Sequence, residues 1–288
     1  MSATQTFSVA RYNLDATLTS GQAFRWRKAD SGWVGVIGRH WVRLRSDAFS
    51  IIADTATPVE DWSWLRDYLQ LELDLTTILN TFPEDEPMRN ASEACSGLRL
   101  LRQDPWECLA SFICSSTKQI VQIQQIIGLL CERFGEPIPA LPEFSPAYSF
   151  PTPERLARAT EAELRACKMG FRAPYLLGTA RKLAEGFDLA RLAAMPVENA
   201  REQLLSFPGV GRKVADCVLL FAYGFQTAFP VDVWIMKALR QLYFPRRRVT
   251  MKRMHRFAAS HFGPYSGYAQ QYLFHYIRTK SRSPNNVR

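Results

Sequence analysis

Apolar and polar positions change their rhythm part-way along the chain. In the first third they alternate over short distances. "GWVGVIG" (32–38) and "HWVRLR" (40–45) are aromatic and β-branched, broken by glycine, and "FSII" (49–52) adds a similar run. Period-two alternation of this kind predicts strands of an antiparallel sheet with one solvated face. The acidic, proline-containing stretch 81–88 predicts a surface connection.

From about residue 98 the period becomes helical. Asp104-Pro105-Trp106-Glu107 predicts a helix start, with Asp104 as cap, Pro105 in the first turn and Glu107 closing a capping box. "SST" at 115–117 interrupts, and Thr117 is placed to cap the next helix. Ile120, Ile123, Ile127, Leu130, Cys131 and Phe134 then form one buried stripe, stopped by Gly135 and Pro137. A proline-rich loop spans 136–151. Thr160 and Glu163 form a second capping box. Tyr175, Leu176, Thr179, Ala180 and Leu183 mark another helix, closed by Gly186, and further helices follow near 197–206, 212–223, 233–243, 250–262 and 265–279. The basic tail "RTKSRSPNNVR" reads as frayed, and no internal repeat is evident. The chain is therefore expected to be α+β, mainly α. Residues 1–97 form an N-terminal antiparallel β-sheet domain, and 98–288 form the helical region, with a helix–hairpin–helix at 200–223.

Composition narrows the function. Hydrophobic residues make up 47% of the 288, enough for a sizeable core. Lys and Arg total 36 against 27 acidic residues, a net charge of +9 that suits a polyanionic partner. The cysteines are Cys95, Cys108, Cys114, Cys131, Cys167 and Cys217. None forms a C-x-x-C pair, so zinc and iron–sulfur spacings are missing, and they read as reduced core thiols. No N-terminal signal pattern and no run of about 18 apolar residues occur. The expectation is a protein that is not secreted, with no membrane partner.

Candidate chemistry centres on "LLSFPGVGRKVADCVLLFA" (204–222). Gly209 and Gly211 would permit positive φ and a close backbone approach. The turn exposes N–H groups at the start of the second helix, where phosphate is attracted. Lys213 stands in that first turn, where the helix field disfavours a cation and so favours the neutral, nucleophilic amine. The other reading is a lysine that snorkels to a phosphate. At the next turn, "FPVDVW" (229–234), Asp232 occupies an N-cap position. It either only caps, or also stays ionised and stabilises a cationic sugar.

"FPGVGRKVADC" followed by "FPVDV" resembles the signature of the helix–hairpin–helix DNA glycosylases that carry a Gly/Pro-rich loop and an aspartate. The chain resembles in particular the 8-oxoguanine DNA glycosylases of eukaryotes and some bacteria. "SGQAFRW" (20–26), "LRLLRQDPWECLASFICSS" (98–116) and "GPYSGYAQQYLF" (263–274) extend the match to nearly the whole chain. The four-cysteine cluster usual in endonuclease III relatives does not occur in it.

The resemblance implies excision of a damaged purine from a flipped-out nucleotide in double-stranded DNA containing oxidised guanine. Lys213 would attack C1′ and form an imine, Asp232 would stabilise the sugar cation, and β-elimination would break the strand. The resemblance also implies that a backbone carbonyl at Gly21 accepts from N7–H of the lesion, that Cys217 and Phe274 sandwich the base, and that Gln270 reads its pairing edge. No redox cofactor or catalytic metal is required, and hairpin carbonyls could hold K⁺ or Na⁺. The protein would be a monomer, in the nucleoid or the nucleus.

Three positions depart from the eukaryotic pattern. Thr117 stands for the asparagine that fills the vacated stack, Gln122 for an arginine on the opposite cytosine, and Trp234 for a phosphate-binding histidine. Arg172 matches the second cytosine-reading arginine, and Phe171 replaces a tyrosine wedge. Two other functions fit parts of the pattern. A monofunctional alkylpurine glycosylase would need the aspartate but not Lys213. A non-catalytic hairpin DNA-binding module would need neither.

Overall fold

The computed structural model describes residues 2–245 and 249–281. The basic tail beyond residue 281 lies outside them. Five strands form one antiparallel sheet in the order β1-β5-β4-β3-β2: β1 (Ala3–Ser8), β2 (Arg27–Ala29), β3 (Gly32–Ile37), β4 (His40–Ser46) and β5 (Ser50–Thr55). The α1 helix (Leu14–Thr19) precedes β2. Cross-strand register sets Trp33 opposite Leu44, Leu44 opposite Ala53, and Phe7 opposite Ile51. These residues share the covered face. They pack with Leu65, Tyr68 and Leu69 of α2 (Ser63–Leu69), and Trp26 Nε1 donates to Tyr68 Oη at 2.9 Å.

Two short helices follow, α3 (Leu75–Leu79) and α4 (Glu86–Ala94). The expected surface connection at 81–88 therefore ends in a helix. Asp85 accepts from the Met88 N–H, and Met88 is buried. Residue 97 is bridged from both sides by packing. Met88 and Ala91 belong to the larger, helical core, whereas Leu101 belongs to the core under the sheet.

The larger core is built by α5 (Pro105–Cys114) and α6 (Ile120–Phe134), a small β6–β7 pair (Pro137–Ile138 with Ala147–Tyr148), α7 (Pro153–Ala157), α8 (Glu161–Ala166), α9 (Ala173–Ala184), α10 (Val197–Leu205), α11 (Arg212–Val218), α12 (Val233–Leu242), α13 (Met251–His261) and α14 (Ser266–Lys280). The α11 helix continues as a π-helical turn over Leu219–Tyr223. Local capping accounts for several starts. Asp104 accepts from the Glu107 N–H at 2.8 Å, and Thr160 and Glu163 form a complete capping box. Glu107 does not close a box. Its carboxylate is drawn instead to Arg25, 3.3 Å away, because burial makes an unpaired charge costly there. The six cysteines are buried and unpaired. No helix among the described residues is long and apolar enough to cross a membrane.

Candidate active site

The hairpin is held by a buried ion pair. Arg201 Nε on α10 donates to Asp216 Oδ1 on α11 at 2.6 Å, which fixes one arm against the other. In the turn, Gly209 has φ +73, and a Cβ there would lie 2.7 Å from the Tyr175 side chain. Gly211 differs from the expectation. Its φ is −93, it is the N-cap of α11, and a Cβ there would meet nothing within 4 Å. Gly209→Ala is expected to cost about 1–2 kcal/mol or more in unfolding free energy, from left-handed strain and the clash. Gly211→Ala should be nearly neutral. Chemical denaturation of both variants checks this, and equal losses would contradict the assignment.

Lys213 points back toward α5. Its Nζ donates to Ser115 Oγ at 2.9 Å and lies 5.0 Å from the centre of the Phe112 ring. Phe112 in turn stacks on Phe221 and meets Phe24 edge-on. Asp232 caps α12 by accepting from the Ile235 N–H at 2.8 Å. Burial pushes its carboxyl above the ordinary carboxylate range. The helix N–H groups and the Lys213 ammonium pull the other way without cancelling the shift. The expectation of a carboxylate held ionised by its helix start is thus corrected in direction, because desolvation outweighs the cap. Burial also pushes the Cys217 thiol up to about 12, which leaves it a neutral surface and not a nucleophile. Lys213 and Asp232 both act electrostatically on Cys217, and Lys213 on Asp232.

A second group of candidate site residues pairs the Gly21 loop with α14. Gly21 has φ +76, and a Cβ there would stand 2.8 Å from Ile120 Cδ1 and 3.3 Å from Phe274 Cε1. Gln22 fixes this loop. It is fully buried, its amide nitrogen donates to the Thr17 and Arg99 carbonyls, and its amide oxygen accepts from the Leu101 N–H. Gln271 on α14 donates to the Ser20 carbonyl at 2.9 Å, and Arg278 donates to that of Thr19. Gln270 is buried, and its amide oxygen accepts from no donor among the described residues. A buried acceptor left open is costly unless a partner arrives.

The expected DNA-facing residues divide. Phe171 stands 52% exposed, edge-on to the exposed ring of Tyr175. Trp234 is half-buried in the first turn of α12, with Lys237 Nζ 5.3 Å from its ring. Thr117 does not cap α6. It is exposed at φ +56, and Gln119 is the N-cap. Gln122 spends its amide oxygen on the Gln119 N–H at 3.0 Å. Arg172 is buried, contrary to a free reader of DNA. It donates to the carbonyls of Met169 and Ser116 and to Thr117 Oγ1.

Comparison with known proteins settles the family. Residues 5–109 match the 8-oxoguanine DNA glycosylase N-terminal domain, and 110–262 match the HhH-GPD superfamily of base excision DNA repair proteins. The chain belongs to the 8-oxoguanine DNA glycosylase family. This glycosylase is 31% identical to a probable N-glycosylase/DNA lyase of Methanothermobacter thermautotrophicus, over 94% of the chain and 95% of the relative. It is 33% identical to the N-glycosylase/DNA lyase OGG1 of Arabidopsis thaliana, over 91% and 76%. Its fold superposes with TM-score 0.90 on a Clostridium acetobutylicum 8-oxoguanine glycosylase/lyase in complex with double-stranded DNA containing cytosine opposite the lesion. That match has 31% identity and covers 98% of each chain.

The glycosylase couples Lys213, Cys217 and Asp232 electrostatically, and it packs Phe274 against Gly21. Sequence reasoning missed Ser115, Gln22 and Arg201. A serine at a helix end reads as a cap, and only the fold reveals what its hydroxyl faces.

Proposed function

We propose that this enzyme removes 8-oxoguanine from duplex DNA through a flipped-out nucleotide and cleaves the abasic product through an imine on Lys213. The observation that carries this reading is the amine of Lys213 acting electrostatically on the half-buried carboxyl of Asp232, in a chain that matches the 8-oxoguanine DNA glycosylase family. A base cannot be reached inside the stack, so extrusion comes first. The Gly21 carbonyl accepts from N7–H, which guanine lacks, and Gln270 offers its open amide oxygen to the pairing edge. The neutral amine of Lys213 attacks C1′ as the bond to N9 breaks. Asp232 lies where positive charge grows on the sugar. The amine passes one proton to the departing base, opening of the C1′–O4′ bond with a second proton passing to O4′ gives the imine, and abstraction of a C2′ proton then expels the 3′ phosphate.

The chemistry needs no redox group. The carbonyls of Phe207 and Pro208 each accept one hydrogen bond, from the Val210 N–H and Thr179 Oγ1, and each keeps a lone pair for a monovalent cation. The test uses end-labelled duplexes carrying single 8-oxoguanine, uracil, alkyladenine or abasic sites. Cleavage confined to the 8-oxoguanine and abasic duplexes supports the reading, and release of alkyladenine alone would favour the monofunctional alternative.

Selectivity for the facing base should be relaxed. Gln122 supplies a neutral amide already used within its own helix, and Arg172 is engaged by backbone carbonyls. One missing charge-assisted contact corresponds to about 1.5–3 kcal/mol, or roughly ten- to a hundred-fold. Excision is expected opposite cytosine and, more slowly, opposite other bases. Single-turnover rates on four duplexes measure this, and a strict cytosine requirement would refute it.

A further inference from the structure

We propose that Ser115 is a positioning residue for Lys213, and that Arg172 braces the turn carrying it independently of any facing base. The proposal rests on the imine chemistry assigned above. Ser115 is buried at the end of α5, and its hydroxyl donates to the Phe112 carbonyl at 2.7 Å. That donation fixes the rotor and turns a lone pair toward Lys213 Nζ, 2.9 Å away. A neutral amine that gives one N–H to Ser115 has its own lone pair aimed elsewhere, which is what attack on C1′ requires. The same Phe112 supplies the ring beside the amine, so one helix end sets both distance and direction.

The turn itself is under tension. The Lys118 N–H closes it on the Ser115 carbonyl at 3.2 Å, and Thr117 holds φ +56, a region costly for a β-branched residue. What holds it is Arg172, which donates to the Ser116 carbonyl and, at 2.6 Å, to Thr117 Oγ1. These two acceptors directly follow Ser115 in the chain. Arg172 is itself fixed by the Met169 carbonyl at 3.1 Å and by the Phe171 ring, 4.2 Å from its guanidinium. Its guanidinium is thus a strut behind the amine's holder. A change at Arg172 should reach Lys213 even where no opposite base exists to be read.

The experiment follows the rate of borohydride trapping on a duplex whose abasic site faces a tetrahydrofuran spacer, so that no facing base is present. Wild type, Ser115→Ala, Ser115→Thr and Arg172→Gln are compared, with DNA affinity measured in parallel. Loss of one hydrogen bond to a charged or reacting amine corresponds to about tenfold. Ser115→Ala should therefore trap about tenfold more slowly at unchanged affinity, and Ser115→Thr, which keeps the hydroxyl, should recover most of the rate. Arg172→Gln should slow trapping on this same duplex. Wild-type trapping by Ser115→Ala would overturn the role of Ser115, and wild-type trapping by Arg172→Gln would overturn the brace. Equal slowing by the alanine and threonine variants would reduce Ser115 to a packing role. Lys213→Gln serves as control: trapping by that variant would instead remove the imine reading beneath the proposal.

Discussion

Lys213→Gln is expected to abolish excision and imine formation together while leaving lesion-DNA affinity within a few-fold of wild type. Glutamine keeps an N–H donor one bond shorter than the Nζ that meets Ser115 Oγ and adds no charge, so the turn and the hairpin should keep their shape. It has no nucleophilic lone pair on nitrogen, so no bond to C1′ can form. Removal of a covalent nucleophile typically costs about a thousandfold or more. Borohydride trapping on 8-oxoguanine and abasic duplexes is the direct measurement, with a binding isotherm beside it. A covalent complex at the wild-type level would remove Lys213 from the mechanism. Loss of binding in parallel would show that the side chain holds DNA and does not attack it.

Asp232→Asn should slow base removal by about a hundred- to a thousand-fold. Asparagine still accepts from the Ile235 N–H, so capping survives and only the charge is lost. Because burial raises the carboxyl of Asp232, wild-type excision should fall with acidification at a higher pH than an ordinary carboxylate would set. That limb should vanish in the asparagine variant. Stability carries the opposite sign. A folded carboxyl that titrates above its unfolded value binds its proton more tightly when folded. Its contribution is therefore greatest below the unfolded value, falls as pH rises between the two, and is lowest above both. The asparagine variant should accordingly melt no lower than wild type at neutral pH. Near-normal single-turnover excision by Asp232→Asn would leave the carboxylate a cap alone.

What the sequence revealed and what it hid follow from interaction range. Asp104, Thr160 and Asp232 satisfy N–H groups three residues onward, and such caps are local enough to be read directly. The β3 and β4 strands announced themselves by alternation, whereas β1 offers a single well-buried side chain, Phe7, and depends on pairing with β5. The short helices between Ser63 and Ala94 make too few turns to show a period. In the site, Lys213, Cys217 and Asp232 are legible because a short stretch of chain carries them. Arg172 looked available for DNA because its burial comes from Ser116 and Thr117, more than fifty positions earlier. Glu107 looked like a box-closing residue because Arg25, its actual partner, lies 82 positions away.

The stitching of α14 onto the Gly21 loop has a consequence for biosynthesis. Gln271 and Arg278 secure the Ser20 and Thr19 carbonyls, and Phe274 lies against Gly21 itself. The hairpin lysine leaves the ribosome well before these residues do. An unfinished chain that stops short of α14 therefore carries the amine without the residues proposed to hold the base, and without this clasp on its N-terminal segment. Competence to cut DNA therefore waits on the synthesis of α14, so chains that stop short of it are poorly equipped to act as nucleases.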